Sequence, residues 1–313
     1  MLPSPEIKPL PDRLQTYAQL QKRMAVQKKM QLNETVQGTG FENKKLMHRL
    51  LKGGLKYCGL ANRGLENILR LQVKERSIAL GRLPKDLDGL RILHISDTHA
   101  DGVPGLAAKL NEILPSLKYD LCILTGDFRF GKRGFHPDSM NATLEFLKSI
   151  SCEYGSYAVL GNHDFIEEVA YLEEAGVRCL FNEALPLAGH DKAWLLGVDD
   201  PHLYQCDDLS LATKGIPEED FKLLAVHSPE IVEEAAEKGV DLYLCGHTHG
   251  GQICLPFIGA VFSNARCSRK HAFDIFEEGA MQGYTHNGTG ASSVAARFLS
   301  PSEVVIHTLR SVK

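Results

Sequence analysis

Apolar residues along the chain show two textures, and the change falls near residue 90. Residues 1–45 are polar, with Pro3, Pro5, Pro9 and Pro11 early and a Gln- and Lys-rich stretch around Gln19–Gln31 that suits a helix. From Lys44 to Gln72, Met47, Leu51, Leu55, Cys58, Leu65 and Leu69 recur at intervals of three, four or seven, and Leu46, Leu50 and Ile68 widen the stripe. Lys45, Arg49, Lys52, Lys56, Arg63 and Arg70 lie largely off it. The segment reads as a basic amphipathic helix, with Gly53-Gly54 and Gly59 as points where it breaks.

Beyond residue 90, short apolar runs alternate with amphipathic ones. Strands are predicted at Arg91–Ser96, Asp120–Thr125, Ser156–Leu160, Arg178–Leu180, Ala193–Val198, Phe221–Val226 and Asp241–Cys245. Helices are predicted at Gly105–Leu117, Ser139–Ile150, Ile166–Ala175 and Pro229–Lys238. The tail adds shorter strands near His271–Phe276, Ala280–Thr285 and Glu303–Leu309. Strands linked by helical crossovers predict an α/β layered domain with one or two mixed sheets. The division expected is a basic, largely helical arm over 1–80 and one domain over 81–313.

Polar residues that bind metals recur just past the carboxyl ends of these strands. Asp97-Thr98-His99 follows the first, Gly126-Asp127 the second, and Gly161-Asn162-His163-Asp164 the third. His227 ends a later strand, and Gly246-His247-Thr248-His249-Gly250 follows the next. In α/β sheets that edge is where ligands bind, so one convergent site is expected. Imidazole, carboxylate and amide oxygen without thiolate suit manganese, iron or zinc. Asp, His, Asp, Asn and three further His are too many for one ion. With one carboxylate bridging they would serve two divalent ions roughly 3.5–4 Å apart.

Composition agrees with a globular enzyme and narrows its setting. The chain has 313 residues, 43% hydrophobic, and a formal charge of −4. No run reaches the ~18 apolar residues of a membrane span, and no secretory leader is expected. Eight scattered cysteines without a C-x-x-C pair read as reduced thiols of a cytoplasmic protein. The charge is uneven: residues 1–76 hold 15 Lys and Arg against 6 Asp and Glu, which leaves 20 against 33 beyond them. The acidic body disfavours nucleic acid as partner. The basic helix either lies over the core with its lysines outward or rests on an anionic membrane surface.

D-x-H, G-D, G-N-H-D, a lone His and G-H-x-H, in this order from Asp97 to His249, resemble the calcineurin-like metallophosphoesterase superfamily. The resemblance implies a four-layer αββα sandwich. It implies a first metal held by Asp97, His99, Asp127 and His249, and a second by Asp127, Asn162, His227 and His247. It makes His163 a catalytic histidine that binds no metal, oriented by Asp164, and manganese the foremost metal. Gly197–Pro201, His247–Pro256 and Gly288-Thr289-Gly290 before Arg297-Phe298 further resemble a bacterial branch. That branch contains YkuE-like phosphoesterases and the UDP-2,3-diacylglucosamine pyrophosphatase of lipid A synthesis. It implies a phosphorylated, lipid-linked substrate. Where many members of the branch begin with a membrane span, this chain has the basic helix, and a peripheral place on the inner membrane is expected from that helix. The alternatives are a soluble phosphodiester or nucleotide substrate, and a metal-bearing scaffold without turnover.

Several neighbouring residues receive plainer readings. Asp199 and Asp200 read as a surface turn before Pro201, and His94 as a core histidine. Arg129 either reaches a substrate phosphate or is a solvated loop arginine. His286 and Asn287 are candidates for the pocket wall, and Cys245 and Cys254 read as packing.

Overall fold

The computed structural model of the chain describes residues 9–15, 17–32, 51–131, 134–257, 259–260 and 265–312. Strands β1 (Gln72–Leu80), β2 (Arg91–Ile95), β3 (Leu121–Leu124), β4 (Ser156–Ala158) and β5 (Val177–Cys179) enter a first sheet. Strands β6 (Glu183–Pro186), β7 (Ala193–Gly197), β8 (Phe221–Ala225) and β9 (Leu242–Cys245) enter a second. A short hairpin of β10 (Cys254–Leu255) and β11 (Gly259–Ala260) follows. Strands β12 (Asp274–Glu278) and β13 (Met281–Thr285) complete the second sheet, and β14 (Glu303–Ser311) returns to the first. The two six-stranded orders are β1-β14-β2-β3-β4-β5 and β12-β13-β9-β8-β7-β6.

Pairing within β2-β3-β4-β5 and β7-β8-β9-β13 is parallel, so the carboxyl ends of these strands share one edge. Between the sheets lies a core of Ile92, Leu121, Ile123, Phe221, Leu223, Leu242, Leu244 and Val305. Alternate residues of the first sheet, such as Leu93, Ile95, Cys122 and Leu124, face the other way, against Leu106, Leu110, Phe146 and Leu172 of its helices. The outer face of the second sheet buries Leu196, Leu224 and Tyr243 against Leu209, Val232 and Ala235. Side-chain alternation along each strand thus divides the apolar residues between an inner and an outer core. Helix, sheet, sheet and helix form the four layers expected.

The arm differs in part from its sequence expectation. Residues 44–50 lie outside the described residues. A helical stretch runs over 51–57 straight through Gly53 and Gly54, and the break falls at Gly59, whose φ is 68°. The next helix, Ala61–Leu69, buries Ile68 and packs Leu65 and Leu69 on the outer core of the first sheet. That half of the apolar stripe is therefore spent on packing. Strand β1, within the stretch expected as arm, pairs in parallel with β14 at the sheet edge. Its Val73, Glu75 and Ser77 are exposed and only Ile78 and Leu80 are buried, so its sequence carries little strand signal. Among the described residues, no helix is long and apolar enough to cross a membrane. The helix Leu20–Gln31 buries Arg23 and Gln27 and packs Val26 and Met30 on Leu203, Tyr204 and Cys206.

Candidate metal centre

Seven buried side chains meet at the common edge of the sheets. Asp97 and His99 follow β2, Asp127 follows β3, Asn162 follows β4, His227 follows β8, and His247 and His249 follow β9. Five of them hold left-handed backbone: Asp97 (φ 52°), His99 (41°), Asp127 (58°), His247 (74°) and His249 (54°). Non-glycine residues there cost about 1–3 kcal/mol each, and such strain gathers where function demands a particular side-chain direction. Glycines precede Asp127, Asn162 and His247 because nothing larger fits. A Cβ at Gly161 would overlap Asp127 Oδ1, and one at Gly246 would overlap Asp97 Oδ2.

The donors form two groups that share Asp127. Asp97, His99, Asp127 and His249 offer ligand atoms within 4.8 Å of one another, and so do Asp127, His227 and His247. Asp127 Oδ2 lies 3.6 Å from His99 Nε2, while its Oδ1 lies 3.4 Å from His227 Nε2. Asn162 Oδ1 joins the second group, 3.0 Å from His227 Nε2 and 2.9 Å from His247 Nδ1. In the first group Asp97 Oδ1 sits 3.3 Å from His249 Nε2, buried and without a hydrogen bond among the described residues. The partner oxygen, Asp97 Oδ2, accepts from Ser96 Oγ and the main-chain N–H of His247.

Main-chain carbonyls fix the imidazoles. His99 Nδ1 donates to the Arg129 carbonyl at 2.7 Å and His227 Nδ1 to that of Thr125 at 2.7 Å, which turns each Nε2 lone pair inward. Metal-binding histidines are held in this way by outer partners. Arg297, fully buried, donates to the carbonyls of Gly290, Asn287 and His249, and so ties the Gly288–Gly290 turn to His249.

Electrostatics favour a cation here. Burial drives Asp97 up to about 7, with Asp127 adding to the rise and His227 opposing it. Burial would raise Asp127 too, yet His227 and His163 hold it well below the ordinary carboxylate range. Burial would lower His227, but Asp127 lifts it to about 10. Without a metal, a proton on His227 supplies the positive charge that two buried carboxylates require. A nitrogen–oxygen donor set with an orphaned carboxylate oxygen fits divalent ions.

His163 stands beside both groups. Its Nδ1 lies 3.0 Å from the Phe130 carbonyl, and its Nε2 is 3.9 Å from Asp127 Oδ2 and 3.5 Å from Ser292 Oγ. The carboxylate of Asp164, expected to orient His163, instead accepts from the main-chain N–H groups of Asp127, Phe128 and Gly161, at 2.6–2.8 Å. It ties the loops that carry Asp127 and Asn162, and a main-chain carbonyl takes the orienting role.

Other readings change as well. Asp199 and Asp200 are fully buried rather than on a surface turn, because Asp199 pairs with Arg23 and Asp200 caps the N–H groups of Leu203 and Tyr204. Arg129 is buried rather than solvated, pairs with Glu168 at 3.5 Å, covers the Phe165 ring and donates to the Gly134 carbonyl, so its guanidinium is engaged within the protein. His94 is the core histidine expected, 2.9 Å from Thr125 Oγ1 and 3.3 Å from His307. His286 packs on it within the core, and Asn287 binds Glu303. Cys245 is buried against Thr285. Sequence reading missed Arg23, Arg297, Ser292 and His202, whose ring packs on His247 with centroids 4.2 Å apart and whose Nδ1 meets Glu230 at 2.6 Å. Arg297 stood in a quoted motif without a role, His202 lay beside Asp199-Asp200-Pro201, and Arg23 lay in the polar Gln- and Lys-rich stretch.

Comparison with known proteins agrees with this geometry. The metallophosphoesterase YkuE of Bacillus subtilis is 27% identical over 257 residues, 77% of this chain and 86% of that protein. A metallophosphoesterase of Aquifex aeolicus is 28% identical, with 77% and 92% covered. The phosphodiesterase YaeI of Escherichia coli is 27% identical, with 64% and 75% covered. Residues 90–251, which run from the start of β2 through the His247 and His249 loop, match the calcineurin-like phosphoesterase family. The chain belongs to that family of metallophosphoesterases.

Proposed function

We propose that the protein hydrolyses phosphodiester or pyrophosphate bonds at a dinuclear metal centre. The observation that carries this is Asp127, whose two carboxylate oxygens face two separate groups of nitrogen and oxygen donors. Asp97, His99, Asp127 and His249 would hold the first ion, and Asp127, Asn162, His227 and His247 the second. Manganese fits this donor set, as do iron and zinc. Two such ions supply charge for the phosphoryl oxygens and lower the pKa of a bound water.

The chain's own residues do the rest. His163, whose Nε2 stands beside Asp127 Oδ2, gives a proton to the leaving oxygen, while the Phe130 carbonyl holds its other nitrogen. Asp164 keeps the Asp127 and Asn162 loops in register. The buried walls exclude water and strengthen each charge interaction. The Escherichia coli relative is named a phosphodiesterase, which supports phosphodiesters as the substrate class.

A second reading is a UDP-linked acyl-sugar met at the inner surface of a membrane. It draws on the exposed Tyr57 beside Lys52 and Lys56 in the stretch 51–57. The packed Leu65, Ile68 and Leu69 leave it less apolar surface than the sequence stripe offers. Turnover of bis-p-nitrophenyl phosphate, cyclic nucleotides and UDP-diacylglucosamine with added Mn²⁺ separates the two. Hydrolysis of the lipid-linked substrate alone would favour the membrane reading, and no turnover of any would sink both.

A further inference from the structure

The helix Leu20–Gln31 precedes the residues that match the family, yet it reaches the back of the metal centre. Arg23 is fully buried in it. Its guanidinium pairs with Asp199 and donates from Nη2 to the main-chain carbonyl of Asp164 at 2.8 Å. It lies 3.8 Å from the centroid of the Tyr204 ring, and Tyr204 Oη donates to the same carbonyl at 3.0 Å. On one side Tyr17 Oη donates to Asp199 at 2.8 Å, and on the other Gln27 binds the Ile166 N–H and Glu167. A segment remote in sequence thus holds residues 164–167 through Arg23 and Gln27, while Tyr17 secures the Asp199 that Arg23 pairs with.

The consequence runs through Asp164. Its carbonyl is fixed from outside by Arg23, and its carboxylate fixes the N–H groups of Asp127, Phe128 and Gly161 from inside. Movement of this residue moves both loops of the centre together.

We propose that Arg23 is a positioning residue for the metal centre, acting through Asp164 to hold Asp127, Asn162 and His163 in place. The proposal takes those three residues in the roles given above. A bidentate arginine is needed because one nitrogen meets a carboxylate while the other meets a carbonyl, and a lysine serves only one of them.

The test uses the full chain with Arg23→Met, Arg23→Lys and the double variant Arg23→Met/Asp199→Asn, which leaves no buried unpaired carboxylate and secures folding. Amide exchange at Asp127, Phe128 and Gly161 should quicken about tenfold in the Met variants, with less than about twofold change along Phe221–Ala225. Turnover of bis-p-nitrophenyl phosphate with Mn²⁺ should fall about 10–100-fold in kcat with KM within about threefold, as misplacement of reacting groups does. Arg23→Lys should lie between. Exchange raised equally everywhere, or unchanged at the three amides, would overturn the proposal, because a merely structural arginine gives that result. An inactive wild type that still shows the local exchange effect would sink the proposed reaction and support the positioning role.

Discussion

The Nε2 atoms of His99 and His249 approach to 3.1 Å on nearly stacked rings, 16° from parallel. Two ring nitrogens at that distance need a shared positive centre, either a proton or a metal ion. Since His99 gives its Nδ1 proton to the Arg129 carbonyl, its Nε2 presents a lone pair. Asp97 Oδ1 and Asp127 Oδ2 stand close by, which makes a metal ion the natural occupant.

The first prediction follows from that sharing. Loaded with Mn²⁺, the protein should hold about two ions per chain. Asp127→Ala should lose both, and His249→Ala should mainly weaken the first. Elemental analysis and calorimetric titration measure the count. A single ion, bound equally well by Asp127→Ala, would refute the bridging assignment.

His163 should separate catalysis from metal binding. His163→Ala should retain the fold and both ions while turnover falls by roughly 10²–10⁴, the usual contribution of general acid–base catalysis. The contrast should be sharpest on substrates with poor leaving groups. Full rate on such a substrate would mean that another group donates the proton.

Metal should also support the fold. Each ion that binds only the native state at about 100 times its Kd adds ~2.7 kcal/mol, so two add about 5 kcal/mol. EDTA should therefore lower the Tm by about 8 °C, and Mn²⁺ should restore it. A Tm indifferent to both treatments would argue against ions in this buried cluster.

Behind the centre, His94, His286 and His307 form a buried contact group that should set the acid limit of stability. Burial, then the nearby His286, pushes His307 down to about 3, and burial pushes His286 down to about 4 although Glu303 opposes it. The unfolded chain takes up these protons near pH 6.5 while the folded chain does not. The unfolded state thus binds more protons below pH 6.5, and stability falls as pH falls from there towards 4. Over two pH units each histidine should contribute a loss of about 2–3 kcal/mol. Urea unfolding of His307→Gln at pH 7.5, 6 and 5 should give a slope shallower by about one proton. An unchanged slope would mean that His307 does not carry the effect.

Much of this architecture is legible in the chain alone. Strand and helix periods are local, and a residue just past a parallel strand is delivered to one edge whatever packs around it. That Asp97, His99, Asp127, Asn162, His227, His247 and His249 converge on one edge was visible for that reason, as was the layered α/β class. Strand β1 was hidden because an edge strand buries only one end of one face, and its Lys74, Glu75 and Arg76 break the apolar alternation. The expectation of Asp164 as the orienter of His163 failed because adjacency along a chain says nothing about which way a carboxylate turns in a tight loop.

Tertiary structure alone decided where the remaining polar groups go. Arg23 sits among glutamines and lysines and looks like solvated surface, yet it is buried because Asp199 and the Asp164 carbonyl wait for it. Asp199 and Asp200 in turn leave the surface because Arg23 and the N–H groups of Leu203 and Tyr204 satisfy them. An apolar residue is buried by its own hydration free energy, so its fate can be read from its own position. A charged residue is buried only with a partner, and the partner's identity lies elsewhere in the chain until the fold brings the two together.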